Sequence, residues 1–392
     1  MTSEQKRRTY FDHNATTYMR QEVIDAMQPF LRDRFGNASS LHFFGQENRD
    51  AVDQARLNIG QLIGAEPEEV ILTSGGTESD NLAIRGVVRA ARRDGKKCHI
   101  ITSVIEHPAV LKTCKALEAE DCDVTYVPSD RNGLVGMDAL EGSIRPDTIL
   151  ISIMLANNET GVIQPVGRIA ELARERGIIL HTDAVQGVGK IEVDVDELGV
   201  DLLSISAHKF YGPKGIGALY VRRGTTLEPV YTGGSHEMGL RPGTENIPGI
   251  VGFGEACRIT RERLSKEIKY IGELRDRLEK GIQERINDVM IVGQAAPRVP
   301  NTCSIVFPRI EGEAVTLNLS MLGFAVSSGS ACSSGKPEAS HVLTAIGLDP
   351  ADAQGGVRIS LGIENTTLEV DAFIEELAVV VERLRKLSPL NG

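Results

Sequence analysis

Between about residues 20 and 220 the chain alternates two patterns. Segments such as EVIDAMQPFLRDRF and ENRDAVDQARLNIGQLIG carry apolar residues at helical spacing. Between segments of this kind lie short runs rich in Ile, Val and Leu: VILT (70–73), HIITS (99–103), DVTYVP (123–128), TILISIML (148–155), IILHTD (178–183), DLLSIS (201–206) and GALYV (217–221). These runs do not alternate apolar with polar positions, as a strand with one wet face does. Continuous apolar strands separated by helices mark a mainly parallel sheet covered on both faces. The pattern predicts an α/β fold with a seven-stranded sheet.

After about residue 260 the rhythm changes. ITRERLSKEIKYIGELRDRLEKGIQERI reads as a long charged helix, and NTCSIVF and VRISLG read as shorter strands. EGEAVTLNLSMLG and TLEVDAFIEELAVVVERLRKL are helical by spacing. We therefore expect a large domain over 16–260 and a smaller α+β domain made of 1–15 and 261–392, with the long helix as the connection.

Composition works mainly by exclusion. A chain of 392 residues with 41% hydrophobic content is expected to be globular. Its net charge of -11 argues against a general nucleic-acid or anionic-membrane surface. No apolar run approaches the roughly 20 residues that span a bilayer. The opening MTSEQKRRTYFDHNATT has no apolar stretch of the signal-peptide kind, so the cytoplasm is the expected compartment. Six cysteines (98, 114, 122, 257, 303 and 332) form no C-x-x-C pair, and no H-E-x-x-H occurs, so no intrinsic metal site is expected. Most of these thiols read as buried and inert. Cys332 stands apart, because SSGSACSSGK surrounds it with the smallest residues and offers it no apolar cover.

Several apolar runs end in unusual polar groups. TILISIMLANNETG delivers Asn157, Asn158 and Glu159, and IILHTDAVQ delivers His181, Asp183 and Gln186. DLLSISAHKFYGPKG delivers Ser206, His208, Lys209 and Lys214, and VILTSGGTESDN delivers Gly75, Gly76, Thr77 and Glu78 at a strand-to-helix turn. Ligands of open α/β sheets bind beyond the carboxyl ends of the strands, so four such clusters point to one shared site. The SGGT turn suits a phosphate, whereas neither nucleotide-loop signature is present. A lysine and an aspartate at neighbouring strand ends point to a pyridine cofactor, the lysine bonding its aldehyde and the aspartate holding its ring nitrogen protonated. A buried Asp–Lys ion pair would have the same spacing. Spacing does not choose between Lys209 and Lys214.

YFDHNATT, FGNASSLHFFG, TSGGTESDN, EHPAV, ANNETG, HTDAVQ, SISAHKFYGPKG, RPGTEN and SSGSACSSG, in this order, resemble the NifS/IscS-type cysteine desulfurases. These are class V aminotransferase relatives that depend on pyridoxal 5'-phosphate and have the fold type I architecture. The similarity runs from about residue 9 to about 361, and SSGSAC is similar to the long-loop subgroup, with the loop at about 325–340. The resemblance implies that Lys209 bonds the cofactor and that Lys214 is structural. It implies that Asp183 meets the pyridine nitrogen, Gln186 the ring hydroxyl and His107 the ring face. Gly76, Thr77, Ser206, Ala207 and His208 are implied around the phosphate and its linkage, with Thr244 reaching the phosphate of a second subunit in a homodimer. Asn158 and Arg358 are implied for the substrate carboxylate. In the segment GGSHEMGLRPGT, relatives usually have arginine where Met238 stands, which puts substrate entry or partner docking in question.

The implied reaction converts L-cysteine to L-alanine. Lys209 acts as base, His107 manages the substrate thiol proton, and Cys332 attacks the substrate sulfur to become a persulfide. An iron–sulfur scaffold or another acceptor protein then takes the sulfur, and Cys332 could ligate a transient iron–sulfur cluster with such a partner. The competing expectations are a selenocysteine lyase, another class V enzyme such as an aminotransferase, and a non-catalytic sulfur-transfer scaffold.

Overall fold

The computed structural model describes residues 8–328 and 339–387. After a short N-terminal strand β1 (Thr9–Tyr10), seven strands build the large sheet. They are β2 (Val70–Thr73), β3 (His99–Ser103), β4 (Asp123–Val127), β5 (Thr148–Ser152), β6 (Ile179–Asp183), β7 (Leu202–Ser206) and β8 (Gly217–Val221). Their spatial order is β2-β8-β7-β6-β5-β3-β4. Pairs from β4 to β7 are parallel, while β8 runs antiparallel to both β7 and β2. Six strands therefore end on the same edge of the sheet, and that edge carries the site.

The continuous apolar runs have the expected cause. Every residue of β2, β3 and β7 is buried, because helices cover both faces. Neighbouring residues serve opposite layers: Leu72 belongs to the core that includes Val23, Ile59, Ile169 and Phe253 on one face. Ile71 packs with Leu82, Val87 and Val110 on the other. The helices involved are α1 (Gln21–Arg32), α2 (Phe43–Ile63), α3 (Gly76–Arg93), α4 (Pro108–Glu118), α5 (Met137–Gly142), α6 (Val166–Arg176), α7 (Val195–Leu198) and α8 (Ile247–Arg285).

Helix α8 has 39 residues and begins at Ile247, well before the start the charge pattern predicts. Its early part, IPGIVGFGEAC, holds three glycines, which lower helix propensity. Packing overrides propensity here: a Cβ on Gly254 would lie 2.5 Å from the Ala55 Cα, so glycine lets α8 cross α2 closely. Asn246 caps the helix by accepting from the Gly249 N–H. The far end of α8, from Ile271 to Ile282, enters a separate core with Phe11, Phe307 and Phe373. That core backs an antiparallel sheet of β9 (Met290–Ile291), β10 (Thr302–Val306), β12 (Ser327–Ser328) and β13 (Gly356–Ser360), while β11 (Phe324–Ala325) pairs with β1.

Candidate active site

A cavity of about 330 Å³ opens at the carboxyl edge of the large sheet. Most of its walls come from strand ends of that sheet. Strand β2 turns at Gly75, whose φ of 147° suits glycine, into α3, so Gly76 and Thr77 open the helix at the cavity. The first-turn N–H groups of such a helix form an anion site. Glu78 is turned away, accepting from the Ser74 N–H at 2.6 Å and pairing with Arg241 at 2.9 Å.

Beyond β3, His107 caps α4: its Nδ1 accepts from the Ala109 N–H at 3.1 Å. That bond fixes the tautomer, so the neutral ring carries its proton on Nε2. Burial lowers the imidazole pKa, with the Lys209 and His341 charges acting the same way and Asp183 opposing them. Beneath it, Glu106 is fully buried and accepts from the Met154 N–H and the Ser103 hydroxyl, and burial raises its pKa to about 8.

The two asparagines after β5 have different tasks. Asn157 makes the turn, its side-chain oxygen accepting from the Glu159 and Thr160 N–H groups at 2.9 Å each. Asn158 lines the cavity, and its carbonyl accepts from Arg358 Nη1 at 3.0 Å. Arg358 reaches in from β13 and pairs through Nη2 with Asp12 at 2.7 Å. Its Nε is buried and has no hydrogen-bond partner among the described residues.

At the end of β6, Asp183 accepts from the Val185 N–H at 2.9 Å. Its pKa is raised by burial, with His107, that hydrogen bond and Lys209 opposing the shift. Gln186 donates to the Asn14 carbonyl at 3.0 Å and accepts from Lys190, whose amine also donates to Asn14 Oδ1 at 2.8 Å. At the end of β7, Ser206, His208 and Lys209 line the cavity. The Lys209 amine donates to the carbonyls of Asn14 and Ala15 at 2.8 Å each. Burial, then the Arg358 charge, lowers its pKa from 10.5 to about 8. Burial likewise holds His208 at about 4, while its Nδ1 meets the Thr16 hydroxyl at 3.0 Å.

Of the residues singled out in the sequence, Gly76, Thr77, His107, Asn158, Asp183, Gln186, Ser206, His208, Lys209 and Arg358 border this one cavity. Lys214 is exposed and outside it. Ala207 is buried and does not border it. Its N–H donates to the Ile216 carbonyl and its own carbonyl accepts from Gly212, so it shapes the short turn that aims His208 and Lys209. Thr244 is exposed and does not border the cavity of its own chain. Cys332 lies outside the described residues. Met238 is exposed in a left-handed conformation (φ 56°), beside Glu237, which is tied to Arg56 and the Leu72 N–H.

Asn14, Ala15, Asp80, Met154 and Val185 also line the cavity and were not singled out. Asp80 had a signal: it lies four residues after Gly76, hence on the same helix face. Asn14 lies in YFDHNATT, one of the motifs that carry the family resemblance, but its segment follows no apolar run that would have marked the residue itself.

A buried amine, a buried carboxylate and a glycine helix start around one cavity fit pyridoxal phosphate in charge and donor chemistry. The site thus belongs to a pyridoxal-phosphate enzyme. The class V aminotransferase family model matches residues 9–373, and the chain belongs to that family, whose cofactor is pyridoxal 5'-phosphate. Its similarity to cysteine desulfurase IscS of Dictyoglomus turgidum is 50% identity over 384 residues, covering 98% of this chain and 97% of that protein. With cysteine desulfurase IscS of Methanosarcina thermophila it is 46% over 389 residues, covering 99% and 96%. A solved NifS-like protein superposes with a TM-score of 0.90 at 40% identity, covering 96% of this chain and 100% of that one. A structure described as SspA in complex with cysteine gives 0.81 at 39%, covering 91% and 100%.

Proposed function

We infer that the chain is a cysteine desulfurase, which converts L-cysteine to L-alanine and passes the sulfur through a persulfide on Cys332 to an acceptor protein. The observation that carries this reading is the convergence of Lys209, Asp183, His107 and Arg358 on one cavity, in a chain whose relatives are cysteine desulfurases along their whole length. When bound, pyridoxal phosphate supplies an electron sink that stabilises negative charge at the substrate Cα. Gly76, Thr77, Ser206 and His208 would hold its phosphate, Asp183 its ring nitrogen, Gln186 its ring hydroxyl and Lys209 its aldehyde carbon.

The remaining tasks fall to the chain. Arg358 and Asn158 orient the substrate carboxylate, Arg358 with its planar guanidinium, whose buried Nε bonds no described residue. Lys209, with a pKa near 8, exchanges a proton at the substrate Cα close to neutral pH. His107 exchanges the substrate thiol proton through Nε2, since Nδ1 is occupied. The thiolate of Cys332 attacks the substrate sulfur, the carbon–sulfur bond breaks, and the carbon takes up a proton. L-cysteine plus a thiol become L-alanine plus a persulfide.

The choice of thiol is supported by the other five cysteines. Cys98, Cys114, Cys122, Cys257 and Cys303 are all buried. Burial raises Cys98, pushes Cys114 and Cys122 up to about 12 and holds Cys257 and Cys303 well above the ordinary range, which disfavours a thiolate on any of the five at neutral pH. We propose a homodimer, with Thr244 reaching the partner's phosphate site. Its support is the exposure of the apolar side chains Phe35, Leu41, Phe43 and Met238, the last of which lines a groove of about 990 Å³ together with Ala38, Ser39 and His236. Two units, 16–260 and 1–15 with 261–392, are supported by the separate cores. No helix among the described residues is long and apolar enough to cross a membrane. We place the enzyme in the cytoplasm, where free thiols persist, with an iron–sulfur scaffold among its acceptors.

The test is to give the purified holoenzyme L-cysteine and a reductant and to measure alanine and sulfide. Cys332→Ser should keep the cofactor and release almost no alanine. Normal turnover by that variant would refute the assignment of the thiol, and no alanine from the wild type would refute the activity.

A further inference from the structure

The inferred mechanism gives no task to a second acid on the cavity floor. Asp80, on the first turns of α3, is 1% exposed and lines the cavity. It and Asp183 each bring a carboxylate oxygen, with a His107 nitrogen, within 4.8 Å of one another. Among the described residues no lysine or arginine faces Asp80, and burial lowers the pKa of the nearby His107 ring. From β6, His181 approaches its Oδ1 at 3.6 Å, but that ring lies between the Ser152 and Ser204 hydroxyls at 2.8 and 3.0 Å, and burial lowers its pKa to about 3. From β7 comes the Ser204 hydroxyl, which favours the charged carboxylate, and from the β3–α4 turn comes Glu106, another acid, which disfavours it. Asp80 Oδ1 itself is buried with no hydrogen-bond partner among the described residues. Asp183 differs, because His107, Lys209 and the Val185 N–H all favour its charge.

We propose that Asp80 is a neutral carboxylic acid and a positioning residue, which confines the floor's single negative charge to Asp183, the acid assigned to the pyridine nitrogen. The neighbouring environments push the two acids apart, the arrangement by which paired carboxyls take different roles. Burial first, and the Asp183 charge second, raise the Asp80 pKa well above 3.8. Two unit charges about 5 Å apart in a partly screened interior shift each other by about two pH units. An ionised Asp80 would thus raise the pKa of Asp183 and leave two like charges buried side by side on the floor.

The functional meaning rests on the reading of the site above, but the test reads Asp80 directly. Infrared difference spectra of the cofactor-free protein, wild type minus Asp80→Asn, should show the carbonyl band of a protonated acid at pH 7. In an Asp183→Asn background that band should persist and titrate about two pH units lower. Asp80→Asn, neutral and of the same shape, should change cofactor affinity by no more than about threefold. Asp80→Lys, which reverses the floor's charge balance, should lower it at least about tenfold. A wild type without the band, an unmoved titration in Asp183→Asn, or a tenfold loss of affinity in Asp80→Asn would each overturn the proposal. Unchanged cofactor affinity in Asp183→Asn, with the band present, would instead refute the role of Asp183.

Discussion

Replacing Lys209 by methionine should stabilise the cofactor-free protein, and only below about pH 10. The side chain is half-buried in the cavity wall, and its pKa falls from 10.5 unfolded to about 8 folded. Between those values the unfolded chain binds more protons than the folded one, so stability rises with pH across that window. Below pH 8 the whole penalty is present, and a shift of about 2.5 units corresponds to roughly 3 kcal/mol. Methionine removes the charge and nearly keeps the volume. It also leaves the Ala15 carbonyl without its amine donor, whereas the Asn14 carbonyl still accepts from Gln186 at 3.0 Å. That loss costs about 1 kcal/mol. The expected net gain is about 2 kcal/mol at pH 7, vanishing near pH 10. Urea unfolding of the cofactor-free wild type and variant at the two pH values measures it. A variant less stable than the wild type at pH 7, or a gain equal at both pH values, would refute the reasoning.

Arg358→Lys should raise KM for L-cysteine at least about tenfold while the cofactor spectrum is kept, because an ammonium cannot hold Asp12, Asn158 and a carboxylate in one plane; steady-state kinetics with a cofactor spectrum checks both halves. Gly76→Ala puts a Cβ 2.7 Å from Val185 Cγ2, so cofactor affinity should fall about tenfold in titrations of the cofactor-free protein. Glu237→Ala leaves the part-buried Arg56 without its carboxylate and the Leu72 N–H without its acceptor. It should cost about 3 kcal/mol in urea unfolding.

The elements legible in the sequence are those whose burial is uniform. The seven sheet strands stand out because helices cover both faces, yet their ends do not. The apolar run TILISIML continues to Leu155, but β5 stops at Ser152, because the Met154 N–H leaves the ladder for the Glu106 carboxylate. A bond to a residue 48 positions away leaves no local mark. The same holds for Lys190. Between two short apolar stretches it reads as a solvated lysine, yet it is 7% exposed and held by Asn14 and Gln186. Asp80 was marked only by its four-residue spacing from Gly76, and TESDN otherwise reads as an ordinary polar first turn. Strand-end residues such as Asp183 were legible because a charged group directly after an apolar run is itself an anomaly.

The buried charges also explain why the site is spread over distant segments. Asp12 and Asn14 precede the first helix, Asp183 and Lys209 end central strands, and Arg358 sits in the smaller sheet. A cavity that must receive a phosphate, a protonated ring and an amino-acid carboxylate needs charges of both signs held apart before any ligand arrives. Adjacent residues on one loop could neutralise each other by local collapse. Rigid elements prevent that: Arg358 is fixed by Asp12 on one side and the Asn158 carbonyl on the other, and Lys209 by two carbonyls that carry no net charge. Each cation keeps a desolvated edge toward the cavity, where a ligand's charge counts for more than it does in water. The cost of holding the Lys209 charge among neutral carbonyls falls on the cofactor-free chain, and cofactor binding offsets it.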